Sequence, residues 1–374
     1  MSNSESDGAA ARAKESRRFF EKQLAGEQPL SFETAGQLFR LGMQLLAVQP
    51  WEFLEDQDLF LMQDGESGEI CYCSTMGALG EVFSLQVYTG AESYRFFRRI
   101  AAGKPTSAGD FYSSMRGVSV EFVTAREQTP PDRELLEAFG HLKKRGKRAP
   151  IFRALRPGYH PWYVTEGEAK ILVYCLQGIL AFCRHAAEMG DIDYWEKEDV
   201  FPFLVPKAED KTREHFEIRL VKAPEPPVAA PRAEELDESL ISGILPENLP
   251  KGGALEADHF FTGAKIGEQN ERKACLRIAM VSDGDSGFAF QPELGKPEDS
   301  TGQLLARALL GAMRDGRFVP SEVRVRHKEF KILLSELSER IGFGVRVTKS
   351  LPALDHLKDH FLAMVGDPGE ISDW

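Results

Sequence analysis

Two periods of apolar spacing alternate along this chain. From Ala35 to Leu46 the residues Leu38, Leu41 and Leu45 recur at helical spacing, and Pro50 ends the pattern because proline cannot continue a helix. Phe19, Phe20 and Leu24 open a weaker helical pattern before it. The runs Leu59–Met62 and Ile70–Cys73 flank Asp64-Gly65-Glu66-Ser67-Gly68 and predict a β-hairpin, with glycine supplying positive φ at the bend. Phe83–Tyr88 and Val118–Val123 predict two more strands, and Arg133–Lys144 a helix. Thr165 and Glu168 form a capping box that opens a long helix to about Met189, with Leu172, Leu176, Ile179, Leu180 and Cys183 on its apolar stripe. Val200–Val205 and Phe216–Val221 predict strands after it.

The periodicity then lapses. Residues 223–258 contain Pro224, Pro226, Pro227 and Pro231 and hold eight acids against two bases, the composition of an acidic linker. A second patterned region follows from His259. Ala274–Val281 and Phe288–Gln291 flank Asp283-Gly284-Asp285-Ser286-Gly287, again as a hairpin. Ser300 with Gln303 caps a helix to about Arg314, and Val323–Arg326 is a strand. Lys328–Ile341 reads as one helix, Val345–Val347 as a strand, and Pro352 suits the first turn of a last helix to about Met364. Strands that alternate with helices imply crossovers and a partly parallel sheet. The expected architecture is an α+β N-terminal domain over residues 16–222, then an α/β C-terminal domain with a mixed sheet over 259–366. Residues 1–15 are expected to be a disordered tail, and 367–374 a second tail.

Composition narrows the function classes. The 374 residues are 42% hydrophobic and 28% charged, ample for two cores. No apolar run is long enough to span a bilayer, and the start of the chain has no basic and apolar secretory pattern. Cys71, Cys73, Cys175, Cys183 and Cys275 lie in apolar runs without a CxxC pair, which suits reduced thiols in a cytoplasm. Of the formal net charge of −12, half falls within residues 223–258. Broad nucleic-acid binding, which needs a basic surface, is disfavoured.

Several segments together resemble a known family. Trp51-Glu52-Phe53-Leu54-Glu55-Asp56, Met76-Gly77-Ala78-Leu79-Gly80-Glu81, Val87-Tyr88-Thr89-Gly90 and Arg156-Pro157-Gly158-Tyr159-His160-Pro161-Trp162-Tyr163 are similar to motifs of a bacterial two-domain family of unknown function. The segment from Ile278 to Leu354 resembles the second domain of that family. The resemblance implies no activity, cofactor or catalytic residue. The element order of the second domain is also similar, in topology alone, to a degenerate ribonuclease H-like fold of the kind found in transposase cores.

No complete catalytic motif is present. Gly284-Asp285-Ser286-Gly287 spells a protease nucleophile tetrapeptide, but it lies at a hairpin tip without a matching histidine context. Asp283 and Asp285 could open a calcium loop, yet its twelfth position is Leu294. His356 and His360 share a helix face at zinc spacing, with Leu357 where a metalloprotease needs glutamate. Lys143–Arg148 is a basic cluster that could clamp phosphate or simply end a helix. The segment Arg153–Tyr163 offers the best binding candidates, Arg153, Arg156, His160, Trp162 and Tyr163, because arginine and aromatics near a helix start can form an anion pocket. The same residues could instead pack as a rigid loop.

The expected function is a non-enzymatic cytoplasmic binding or interaction protein without cofactor, whose partner is an unknown protein or a small anionic ligand. The alternative is a metal-dependent phosphotransfer enzyme, a nuclease or transposase-like core, with Asp283, His327 and Asp355 as its metal ligands.

Overall fold

A computed structural model describes residues 14–365, apart from 25, 66, 105, 107, 141–146, 190–194, 196–199, 208–214, 223–237, 243–248 and 269. Helices and two mixed sheets make up the fold. Helix α1 (residues 14–23) precedes α2 (Phe32–Val48), whose N-cap Ser31 accepts a hydrogen bond from Thr34 N. Strands β1 (Leu59–Gln63), β2 (Ile70–Met76), β3 (Ser84–Thr89), β4 (Gly117–Val123) and β5 (Ala149–Leu155) form an antiparallel meander. Helices α3 (Gly90–Ala101), α4 (Ala108–Ser114) and α5 (Pro130–Ala138) fill its connections. The long α6 (Glu166–Met189) then crosses over to β6 (Val200–Pro206), parallel to β1, and β7 (Phe216–Lys222) closes the sheet in the order β5-β4-β3-β2-β1-β6-β7.

Period-2 alternation decides which side chains meet which helix. Phe60, Met62, Cys71, Cys73, Leu85, Val87, Val118 and Val120 share a core with Leu38 and Leu45 of α2 and Leu172 and Ile179 of α6. Their neighbours Leu59, Leu61, Tyr72 and Tyr88 face the other way, against Tyr94 and Phe97 of α3. The Thr165–Glu168 capping box is formed, with Thr165 N donating to Glu168 Oε2 at 2.9 Å.

The C-terminal sheet contains β8 (Lys251–Ile266), β9 (Ala274–Asp283), β10 (Glu293–Gly295), β11 (Val319–Val325) and β12 (Gly344–Val347) in the order β10-β9-β8-β11-β12. The first three are antiparallel neighbours, while β11 runs parallel to both β8 and β12. Helix α7 (Glu238–Ser242) and α8 (Thr301–Gly316) pack on one face, where Ile241, Leu304, Leu305 and Leu309 meet Leu255, Ala257, Ala279 and Val281. Helix α11 (Pro352–Val365) covers the other, with Leu351 and Leu354 on Phe260, Ile278 and Met280.

Four expectations need adjustment. The linker span 223–258 is too long, since Lys251–Asp258 is already strand and Ile241 is buried; residues 223–237 and 243–248 lie outside the described residues. Phe288–Gln291 is no regular strand: one bridge, Ser282 to Ala289, holds it, and β9 pairs instead with β8 and β10. The helix expected over Lys328–Ile341 is two, α9 (Lys328–Leu333) and α10 (Ser335–Ile341), broken at Leu334, which buries its side chain at φ −93° and ψ 3°. Lys14 and Glu15 of the expected N-terminal tail are helical. Residues 1–13 and 366–374 lie outside the described residues.

Candidate functional site

The segment Arg153–Tyr163 lies at the seam between the two domains. Gly158 N donates to Tyr112 O, His160 N to Lys273 O, and Cys275 N to Gly158 O, at 2.6, 2.8 and 2.8 Å. Gly158 has φ +81°, and a Cβ there would lie 2.5 Å from Pro297 Cβ, so both the turn and the domain contact demand glycine. Arg153 donates twice to the buried Asp132 at 2.7 Å and lies over the Tyr163 ring. Arg156 bridges Glu27 and Glu168, each at 2.7 Å. Arg272, from the C-terminal domain, joins the same carboxylates at 3.3 and 3.8 Å. Trp162 Nε1 donates to Gln23 O at 2.6 Å, and the half-buried indole packs against the N-terminal core. His160 is buried beside Tyr112, and burial together with the Lys265 charge pushes its pKa down to about 4. The five candidate residues are thus brought together, with their charged groups already matched. Arg156 also lines a cavity of about 460 Å³ with Arg116, Pro157, Tyr159 and Pro297.

A larger cleft, about 1120 Å³, opens on the far side of Pro157 and Pro297. Its origin is topological. Pairing of β11 with β8 ends at Arg324 and Glu256, yet β8 continues to Ile266. The edge of β8 beyond Glu256 therefore faces α4 on one side and the turn after β11 on the other. This is the crevice outside the carboxyl end of a parallel strand where open sheets tend to bind ligands.

Asp258 of β8, Arg326 and His327 after β11, and Asp355 and Lys358 of α11 all line this cleft. Asp258 is 4% exposed. Its Oδ1 accepts from His259 N at 2.9 Å, and Arg326 Nε lies 3.4 Å from Oδ2. The same guanidinium binds Asp355. Burial raises the Asp258 pKa, opposed by the charges of His327, Arg326 and Lys358. His259, largely buried against Phe330, is pushed down to about 3 by burial and by Arg277, His327 and Lys358.

Of the three expected metal ligands, His327 and Asp355 reach the cleft and Asp283 does not. Asp283 closes its own hairpin turn, accepting from Ser286 N and Ser286 Oγ at 2.7 Å each. The reason is strand order: the acid-bearing central strand is β8, which the sequence pattern had joined to the linker. Asp258 was missed for that reason, whereas Arg277 and Arg326 lay in segments already read as strands, where nothing marked them as cleft residues. The signal for Asp258 was present, as Glu256 and Asp258 alternate with the apolar Leu255 and Ala257 in a period of two. Among the described residues, no group of three or more His, Cys, Asp or Glu converges as a metal ion would require. His356 and His360 lie 4.7 Å apart between ring centres, with their planes tilted by 57°. Of the basic cluster, residues 143–146 lie outside the described residues, and Arg148 sits over the Phe83 ring.

Two family models match the chain. A domain of unknown function (DUF7309) covers residues 36–202, and a domain of unknown function (DUF6930) covers residues 245–362. The chain belongs to a two-domain family of unknown function. No curated protein matches it. The DUF6930 boundary at residue 245 takes in the whole of β8, and hence Asp258. Among the described residues no helix is long and apolar enough to cross a membrane.

Proposed function

We propose that this is a non-enzymatic bacterial binding protein of the cytoplasm, with the cleft between the DUF7309 and DUF6930 domains as its binding site. One observation carries it: the guanidinium of Arg326 stands between Asp258 and Asp355. A metal ion bound by these carboxylates would have to displace the guanidinium that already neutralises them. The order and direction of the C-terminal strands support a ribonuclease H-like ancestry, with its acid pair neutralised from within. Buried cysteines suit a reducing compartment. Arg156 is already matched by Glu27 and Glu168, so the binding role passes from the seam loop to the cleft.

A second proposal, metal-dependent phosphotransfer, draws support from Asp258, His327 and Asp355 lining one cleft. Incubating the purified chain with DNA and RNA in Mg²⁺ or Mn²⁺ separates the two. Intact nucleic acid is expected. Cleavage by the wild type that disappears in Asp258→Asn would overturn the binding proposal and establish the second.

A further inference from the structure

Two arginines in the described residues are almost wholly enclosed, Arg272 at 9% and Arg277 at 4% exposure. Arg272 has Glu27 and Glu168 as counter-ions. Arg277 has no carboxylate at ion-pair distance among the described residues. Its Nη1 donates to the carbonyl of Asp299 at 2.6 Å and its Nη2 to Thr301 Oγ1. Its buried Nε has no acceptor among the described residues. The nearby Asp299 carboxylate is turned elsewhere, to Lys296 N at 2.9 Å and to Arg307 at 3.5 Å. The Arg277 guanidinium carbon lies 5.5 Å from the centre of the Phe261 ring. A buried cation without an ion-pair partner is costly even so, and a counter-charge from outside the chain would offset that cost.

The surroundings specify what that counter-charge would be. Both hydrogen bonds of Arg277 fix its guanidinium against the start of α8, a helix of 16 residues. The N-cap Ser300 satisfies Gln303 N, and the first intrahelical bond runs from Leu304 N to Ser300 O. The N–H groups of Thr301 and Gly302 precede that bond and are not used by the helix. Asp299, Ser300, Thr301 and Arg277 all line the cleft. Thr301 lines the cleft, whereas Gly302 is buried. A fixed guanidinium beside the Thr301 N–H and the positive end of the dipole suits a tetrahedral oxyanion.

We propose that Arg277 and the N-terminus of α8 form an anion subsite for the phosphate group of a small phosphorylated ligand. This rests on the cleft being the binding site. Phosphate oxygens would accept from Arg277 and from the Thr301 N–H, while the remainder of the ligand would extend along the cleft toward His259 and Phe330.

Calorimetric titration of the full chain at constant ionic strength tests this, with inorganic phosphate and with glycerol 3-phosphate as separate probes. Saturable one-to-one binding of at least one probe is expected. Tighter binding of the monoester would point to an organic phosphate, and equal or tighter binding of inorganic phosphate to the free ion. Arg277→Gln should weaken the affinity by about tenfold or more, the scale of losing a charge-assisted contact. Arg277→Lys, which keeps the charge without the fork, should fall between. Arg116→Gln, in the smaller cavity, should leave affinity unchanged. Absence of saturable binding by both probes overturns the subsite, as does full affinity in either Arg277 variant. If Arg277→Gln does not fold, the Arg277→Lys affinity decides. Nucleic-acid cleavage would overturn the non-enzymatic proposal while leaving the phosphate titration to be judged separately.

Discussion

The seam and the cleft use the same residue types in opposite ways. At the seam, Arg156 and Arg272 share Glu27 and Glu168, so cations and carboxylates match two for two. In the cleft, Arg326 holds Asp258 and Asp355, while Arg277 has no carboxylate at ion-pair distance among the described residues. A matched network has little to offer a ligand, and its value lies in fixing how two domains meet. An unmatched buried cation is a standing demand for a partner. Residue identity alone, arginine near aromatics, did not separate these cases; the local charge balance does.

The sharpest way to break that contrast is to remove each buried arginine in turn. Arg272→Met leaves Glu27 and Glu168 with one cation between them and should destabilise the protein by roughly 3–5 kcal/mol. Arg277→Met strands no carboxylate. It loses two hydrogen bonds, about 1–2 kcal/mol together, and also removes an uncompensated buried charge. Paired urea melts of the two variants without added phosphate should therefore differ clearly, with Arg272→Met the weaker protein. Equal losses would mean that Arg277 is as structural as Arg272.

An effect of comparable size should appear on acidification. His160 at the seam and His259 in the cleft have pKa values of about 4 and about 3, against an ordinary value of 6.5. Burial is the leading cause for both. The folded state then binds fewer protons than the unfolded state as pH falls below 6.5, so stability must decline with falling pH. Each histidine contributes a slope of about 1.4 kcal/mol per pH unit between its unfolded and folded pKa. His259→Phe and His160→Phe should each flatten the decline between pH 6 and pH 4. An unchanged slope in either would show that its histidine becomes protonated in the folded protein.

Local features were legible in the sequence, and long-range ones were not. The Thr165–Glu168 capping box depends on neighbours three positions apart and formed as expected, and at Ser300 the half in which its hydroxyl accepts from Gln303 N is present. The stripe from Leu172 to Cys183 was likewise visible in its period and lies in the N-terminal core. Strand β8 was hidden by composition, because Glu256 and Asp258 raised the acidic count of the preceding proline-rich stretch. Both carboxylates are buried, Glu256 accepting from Leu354 N at 3.1 Å. Charge density in a window measures solvation only when the charges reach solvent. The seam was beyond reach for another reason: Arg272 meets Glu27 across 245 positions, and nothing in either neighbourhood announces the other.

The smallest expected effect concerns Asp283, which separates a turn from a site. Asp283 and Asp64 occupy equivalent places in two hairpin tips. Asp64 Oδ2 accepts from Ser67 N at 2.9 Å, as Asp283 Oδ1 accepts from Ser286 N at 2.7 Å. Those bonds hold the Asp283 carboxyl below its ordinary pKa. Side-chain to backbone closure of this kind is the usual work of aspartate in turns. If turn closure is its whole role, Asp283→Ala and Asp64→Ala should cost similar, modest amounts, about 0.5–1.5 kcal/mol each. Asp283→Ala should also leave phosphate affinity and the response to Mn²⁺ unchanged, since the residue does not line the cleft. Thermal melts of the two variants, followed by the phosphate and Mn²⁺ titrations on Asp283→Ala, check both parts. Loss of a Mn²⁺ response in Asp283→Ala alone would mean that the acid at the end of β9, and not the one within β8, belongs to the working site.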